Sequence, residues 1–146
     1  MYIMTSALFE RILITTDGSE KNRSALEEGL KIARACSAAV FAVYVIDTRA
    51  LALSSVDVPL GEVYHVYQAE ADLAFSRVTS IAGDMNVEIT ILEGKPAAEI
   101  VKYAAAKKID LIVIGTQGKK GLERLLLGSV AEEIIRSAPC KVLVVK

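Results

Sequence analysis

Two glycines at positions 115 and 118, followed after nine intervening residues by Gly128-Ser129, form the pattern in this chain best suited to chemistry. Leu111-Ile112-Val113-Ile114 run directly into it, and an apolar-periodic stretch from Val130 to Ala138 follows. A buried strand therefore ends in a loop, Gly115-Thr116-Gln117-Gly118 onward, that delivers the chain to the mouth of a helix. Such a mouth offers unpaired backbone N–H groups and a partial positive charge. Phosphate is the ligand that suits it, and glycine lets the backbone come close. The stretch is expected to hold the phosphates of a nucleotide. Between Gln117 and Leu127 lie Lys119, Lys120 and Arg124 against Glu123. They read either as a clamp on phosphates or as an ordinary solvated loop. Leu122, Leu125, Leu126 and Leu127 read as packing, onto the helix or against another subunit.

A second candidate lies near the start, in Thr15-Thr16-Asp17-Gly18-Ser19. Asp17 could accept from a ribose hydroxyl or hold a Mg²⁺ that bridges phosphates. Asp-Gly-Ser is also turn chemistry in its own right, and the two roles can coexist. Other chemistries fare worse. The patterns G-x-x-x-x-G-K-[ST] and G-x-G-x-x-G are both missing. A Ser-His-Asp triad would have to use His65, the lone histidine. Two cysteines and one histidine do not make an ordinary structural zinc site. Glu27-Glu28 and Glu132-Glu133 are adjacent on helices and so do not face each other as an acid/base pair.

The elements that must position these residues alternate. Ile12-Leu13-Ile14, Val40–Ile46, Val87–Leu92, Leu111–Gly115 and Val142–Val145 read as short buried strands. A first helix starts at Ser19 or Glu20, with Ala25, Leu26, Gly29, Leu30, Ala33 and Cys36 on one face. A second spans about Leu60 to Gly83, with Val63, Val66, Tyr67, Ala71, Ala74, Val78 and Ile81 inward. A third begins at Pro96 and buries Ala97, Ile100, Val101, Ala104 and Ala105. Ser129 caps the fourth, with Val130, Ile134, Ile135 and Ala138 inward, and Pro139 stops it. Asp47 to Gly61 is expected to be one long irregular connection. Strict alternation predicts an α/β fold, an open doubly wound five-stranded parallel sheet with helices on both faces. The 146 residues suit a single domain, and the apolar share of 53% fits a sheet buried on both sides. A net charge of −1 argues against nucleic acid. No apolar run reaches membrane-spanning length, and the first residues lack a signal-peptide pattern. With two isolated cysteines, a cytoplasmic protein is expected.

With these residues assembled, the chain resembles the universal stress proteins. Members with an ATP site share G-x2-G-x9-G-[ST] after the fourth strand, matched here by Gly115, Gly118, Gly128 and Ser129. The opening Ile12 to Ser19 and the close, Gly128 to Val145, are similar as well. The resemblance implies the strand order 3-2-1-4-5, which brings strands one and four together. It implies ATP or a related adenine nucleotide, with Mg²⁺ on the phosphates. Thr15, Thr16 and Asp17 would lie against the nucleoside, Asp17 near the ribose, and Val45 would meet the adenine through its backbone. Gly115 would approach the ribose, and Gln117, Gly118 and Lys119 the phosphates. Gly128, Ser129 and Val130 would supply the helix-terminal N–H groups. A homodimer through the last strand, 142–145, is implied too. Position 15 is Thr where many members have Pro.

Efficient phosphoryl transfer needs a positioned nucleophile together with metal and cationic groups. Apart from Asp17, no obvious general base lies beside the proposed phosphates. A nucleotide-dependent regulatory or stress-response module is therefore the expected role. A slow ATPase or nucleotide-dependent transferase is the alternative. A nucleotide-free scaffold would have no need of the glycine spacing.

Overall fold

A computed structural model describes residues 7–53, 59–116 and 127–146. The chain begins with β1 (Arg11–Thr15), a 3-10 turn (Glu20–Asn22), α1 (Arg23–Cys36) and β2 (Ala39–Asp47). Then come α2 (Thr48–Leu53), α3 (Leu60–Ala82), β3 (Val87–Gly94), α4 (Pro96–Ala106), β4 (Leu111–Gly115), α5 (Ser129–Ser137) and β5 (Lys141–Val145). The five strands form one sheet in the order β3-β2-β1-β4-β5. Every pairing is parallel, with Ile14 opposite both Ala42 and Val113. The expected fold and strand order are both observed.

Strand side chains alternate between two faces, and both faces are covered. Ile12, Ile14, Val40, Ala42, Leu111 and Val113 pack with Ala25, Leu26, Leu30 and Ala33 of α1 and Val78 and Ala82 of α3. Leu13, Phe41, Val43, Ile112 and Ile114 pack with Ala97, Ile100 and Ala104 of α4 and Ala131 and Ile134 of α5. Two-sided burial is why the strands read as unbroken apolar runs. Helix α1 comes very close to β1 at Gly29, where a Cβ would sit 2.8 Å from the Ile14 Cδ1.

Three details differ from the sequence reading. Val66 and Ile135 are exposed, 58% and 47%, as is Ala105. Each adjoins a residue already facing inward: Tyr67, Ile134 and Ala104. Successive residues on a helix point about 100° apart, so each pair has one inner member. The first helix opens with a 3-10 turn, and the α-helix proper starts at Arg23. The connection after β2 contains a helix, α2, rather than being irregular throughout. The Asp47 carboxylate accepts the Arg49 backbone N–H at 3.0 Å and pairs with its guanidinium at 3.0 Å, which stabilises that start.

Candidate nucleotide site

In an open parallel sheet the ligand crevice lies beyond the carboxyl ends of the strands, where the strand order reverses. Here that point falls between β1 and β4, whose crossovers run to opposite sides of the sheet. Continuing the Ile14–Val113 register by two residues brings Thr16 level with Gly115. Thr15 and Thr16 are buried. The Thr16 N–H donates to the Val43 carbonyl at 3.0 Å, which extends the β1–β2 ladder past the strand's end. That bond also orients β2. Backbone groups alternate along a strand, so the N–H and C=O of Val45 turn to the same edge as the Val43 carbonyl, beyond the end of β1. The backbone of Val45 is thus presented to the crevice.

Asp17 follows as a tight turn. Its Oδ1 accepts from the Ser19 N–H at 2.9 Å and the Ser19 hydroxyl at 2.6 Å. The local Asx turn is therefore real. It uses one oxygen; Oδ2 takes no hydrogen bond among the described residues, so the turn leaves a carboxylate oxygen for another donor. Gly18 sits at φ +77°, where a Cβ would lie 3.4 Å from the Ala74 Cβ.

The other wall is the start of α5. The Thr116 N–H donates to the Val145 carbonyl at 3.1 Å, and the Thr116 carbonyl accepts the Gly128 N–H at 2.8 Å. This second bond pins the beginning of α5 to the end of β4. Gly128, not Ser129, takes the capping position, with φ −63° and ψ 153°. The reason is its carbonyl, which accepts the first helical bond, from the Glu132 N–H at 3.0 Å. Ser129 is the first helical residue. The N–H groups of Ser129, Val130 and Ala131 precede that bond and have no acceptor within the helix. A glycine cap carries no side-chain oxygen to cover them. Glu132, in the first turn, is paired with Arg136 at 2.6 Å.

Thr15, Thr16, Asp17, Val45, Gly115, Gly128, Ser129 and Val130 thus lie at the carboxyl ends of the strands or just beyond them. Gln117, Gly118 and Lys119 lie outside the described residues, as do Lys120 and Arg124. His65 is exposed on α3. Among the described residues no group of three or more His, Cys, Asp or Glu could hold a metal ion. No described helix is long and apolar enough to cross a membrane.

Sequence reasoning missed two residues that brace the crevice. Asn22 is buried, and its amide donates to the Thr15 carbonyl at 3.2 Å, tying the end of β1 to the start of α1. Its position just before a helix was the available signal, since Asn there tends to bond nearby backbone. Arg77 of α3 donates to the Gly18 carbonyl. Its spacing from Glu70 and Ala74 puts it on the flank of the buried stripe, a pattern that periodicity alone assigns to solvent.

A doubly wound parallel sheet with a helix start beside its switch point has the geometry in which open α/β folds bind ligands. The chain belongs to the universal stress protein family, whose model matches residues 8–146. It is 43% identical over 141 residues to a universal stress protein of Methanocaldococcus jannaschii, covering 95% of this chain and 83% of that one. Among solved structures it is similar to the universal stress protein UspA from Lactobacillus plantarum. The TM-score is 0.78 at 29% identity, over 94% of this chain and 97% of that one. It is similar also to a universal stress protein solved in complex with cAMP. There the TM-score is 0.69 at 25% identity, over 94% and 97% of the two chains.

Proposed function

We propose that this chain binds an adenine nucleotide, ATP or a close relative, at the carboxyl edge of the sheet and serves as a nucleotide-dependent regulatory module. The observation that carries this reading is the start of α5: three N–H groups without helical acceptors, pinned by Gly128 to the end of β4. The partial positive charge there attracts phosphate. Asp17 Oδ2 would accept from a ribose hydroxyl, and the Val45 backbone would meet the adenine edge. Gln117, Gly118 and Lys119 would complete the phosphate side. The family member solved with cAMP supports adenine as the base. Mg²⁺ would arrive with the phosphates, keeping waters in its shell rather than requiring an all-protein cage. Asp17 Oδ1 is engaged in its own turn, which favours binding over base catalysis. A homodimer through strand 142–145 and a cytoplasmic setting complete the proposal.

The test is direct. Purified protein, denatured and its supernatant run on an anion-exchange column, should release adenine nucleotide, and calorimetry should show ATP binding. Gly128 has a negative φ that valine tolerates. Gly128→Val should therefore keep the fold, obstruct the helix mouth and weaken ATP more than about tenfold. Unchanged affinity in that variant would contradict the proposal.

A further inference from the structure

We infer that Arg77, on α3, is the positioning residue that holds the Asp17 turn in its ribose-accepting geometry; this rests on the nucleotide reading above. The turn hinges on Gly18, the residue type with the most backbone freedom to lose. Its N–H is fixed by the Thr16 Oγ1 at 3.3 Å. Its carbonyl, on the other side of the same residue, accepts from the Arg77 Nη1. The donor is a guanidinium, so this is a charge-assisted bond. Glu20 flanks Arg77 at 3.9 Å.

The seat is shaped as well as charged. Glu70, Ala74 and Arg77 recur at the spacing of one helix face. The missing Cβ of Gly18 would meet the Ala74 side chain at 3.4 Å and the Glu70 carbonyl at 3.6 Å. The Tyr44 hydroxyl, from buried β2, donates to the Glu70 carboxylate at 3.0 Å and sets that stretch of α3 against the sheet. Helix α3 is thus the back wall of the turn. Releasing the Gly18 carbonyl frees the Gly18–Ser19 peptide, whose N–H holds Asp17 Oδ1, and Oδ2 loses its fixed place relative to the crevice. Arg77 acts through Asp17 and touches no nucleotide atom in this account.

The experiment titrates the full chain with ATP and with 2′,3′-dideoxy-ATP, which lacks the ribose hydroxyls. Wild type, Arg77→Ala and Arg77→Lys are compared by calorimetry, with thermal melting alongside. Arg77→Ala should weaken ATP by about tenfold, the scale of one charge-assisted hydrogen bond. It should weaken the dideoxy analogue by less than about twofold, because the group it positions has nothing left to hold. Arg77→Lys keeps a cationic donor and should recover part of the loss. Should Arg77→Ala fail to fold, Arg77→Lys carries the same comparison, with a smaller selective loss. Equal losses for both nucleotides, or no loss for ATP, would overturn the assignment while leaving the nucleotide reading standing. A wild-type chain that binds neither nucleotide would remove the nucleotide reading and, with it, this inference.

Discussion

At the residue scale, the turn after β1 shows how local chemistry and ligand chemistry share one side chain. Asp17 gives one oxygen to Ser19 and keeps the other, so the turn shapes the site without consuming it. Gly18 is required for its φ of +77°, since a Cβ there would meet Ala74 only at ordinary contact distance, 3.4 Å. Gly18→Ala should cost about 1–2 kcal/mol through left-handed backbone strain, read as a lower urea midpoint, and should weaken ATP as well. Asp17→Asn should leave stability within about 0.5 kcal/mol, because an amide oxygen still accepts from Ser19. It should weaken ATP by about tenfold, since its other arm donates where the ribose needs an acceptor. Calorimetry on the two variants separates a bent turn from a lost acceptor. The sequence marked Asp17 and Gly18 through their types. It could not mark Arg77 or Asn22, whose roles exist only once α3 and α1 are laid against the sheet.

At the scale of elements, the strands were legible because two-sided burial leaves continuous β-branched runs, as in Leu111 to Ile114. Helix faces were legible except where two apolar residues adjoin, as at Ile134-Ile135; composition cannot choose the inner one. The cap of α5 was misread by one residue because Ser is the commoner cap. The Gly128 carbonyl takes the first helical bond, from the Glu132 N–H, while its own N–H is tied to Thr116, and long-range bonds of that second kind leave no local trace. Helix α2 was missed because its start rests on a single Asp-Arg pair. The side-chain hydrogen bond from Arg49 holds the Asp47 carboxyl below the usual carboxylate range. A carboxyl depressed in the folded state adds stability above its unfolded pKa and loses it as pH falls through the folded one. Helix α2 should therefore loosen only in acid below the ordinary Asp range. Carboxyl NMR should find Asp47 titrating low in wild type and returning upward in Arg49→Ala. An Asp47 midpoint unmoved by that substitution would contradict the account.

At the scale of the whole molecule, β3 and β5 are the two sheet edges, and edges invite partners. The Thr116 N–H bonds the Val145 carbonyl, so alternation turns the backbone groups of Leu143 and Val145 inward to β4 and those of Val142 and Val144 outward. If the proposed homodimer pairs β5 with its copy, Val144→Pro removes an outward N–H and spares the β4 ladder. Sedimentation should then show wild type as a dimer and the variant shifted to monomer; an unchanged dimer would place the interface elsewhere. The crevice between β1 and β4 is tested most sharply by a crystal structure grown with excess ATP. Phosphate oxygens should lie within hydrogen-bond distance of the Ser129 and Val130 N–H groups, with a ribose hydroxyl on Asp17 Oδ2. A structure with ATP bound elsewhere, or with that helix start filled by the chain's own side chains, would contradict that placement.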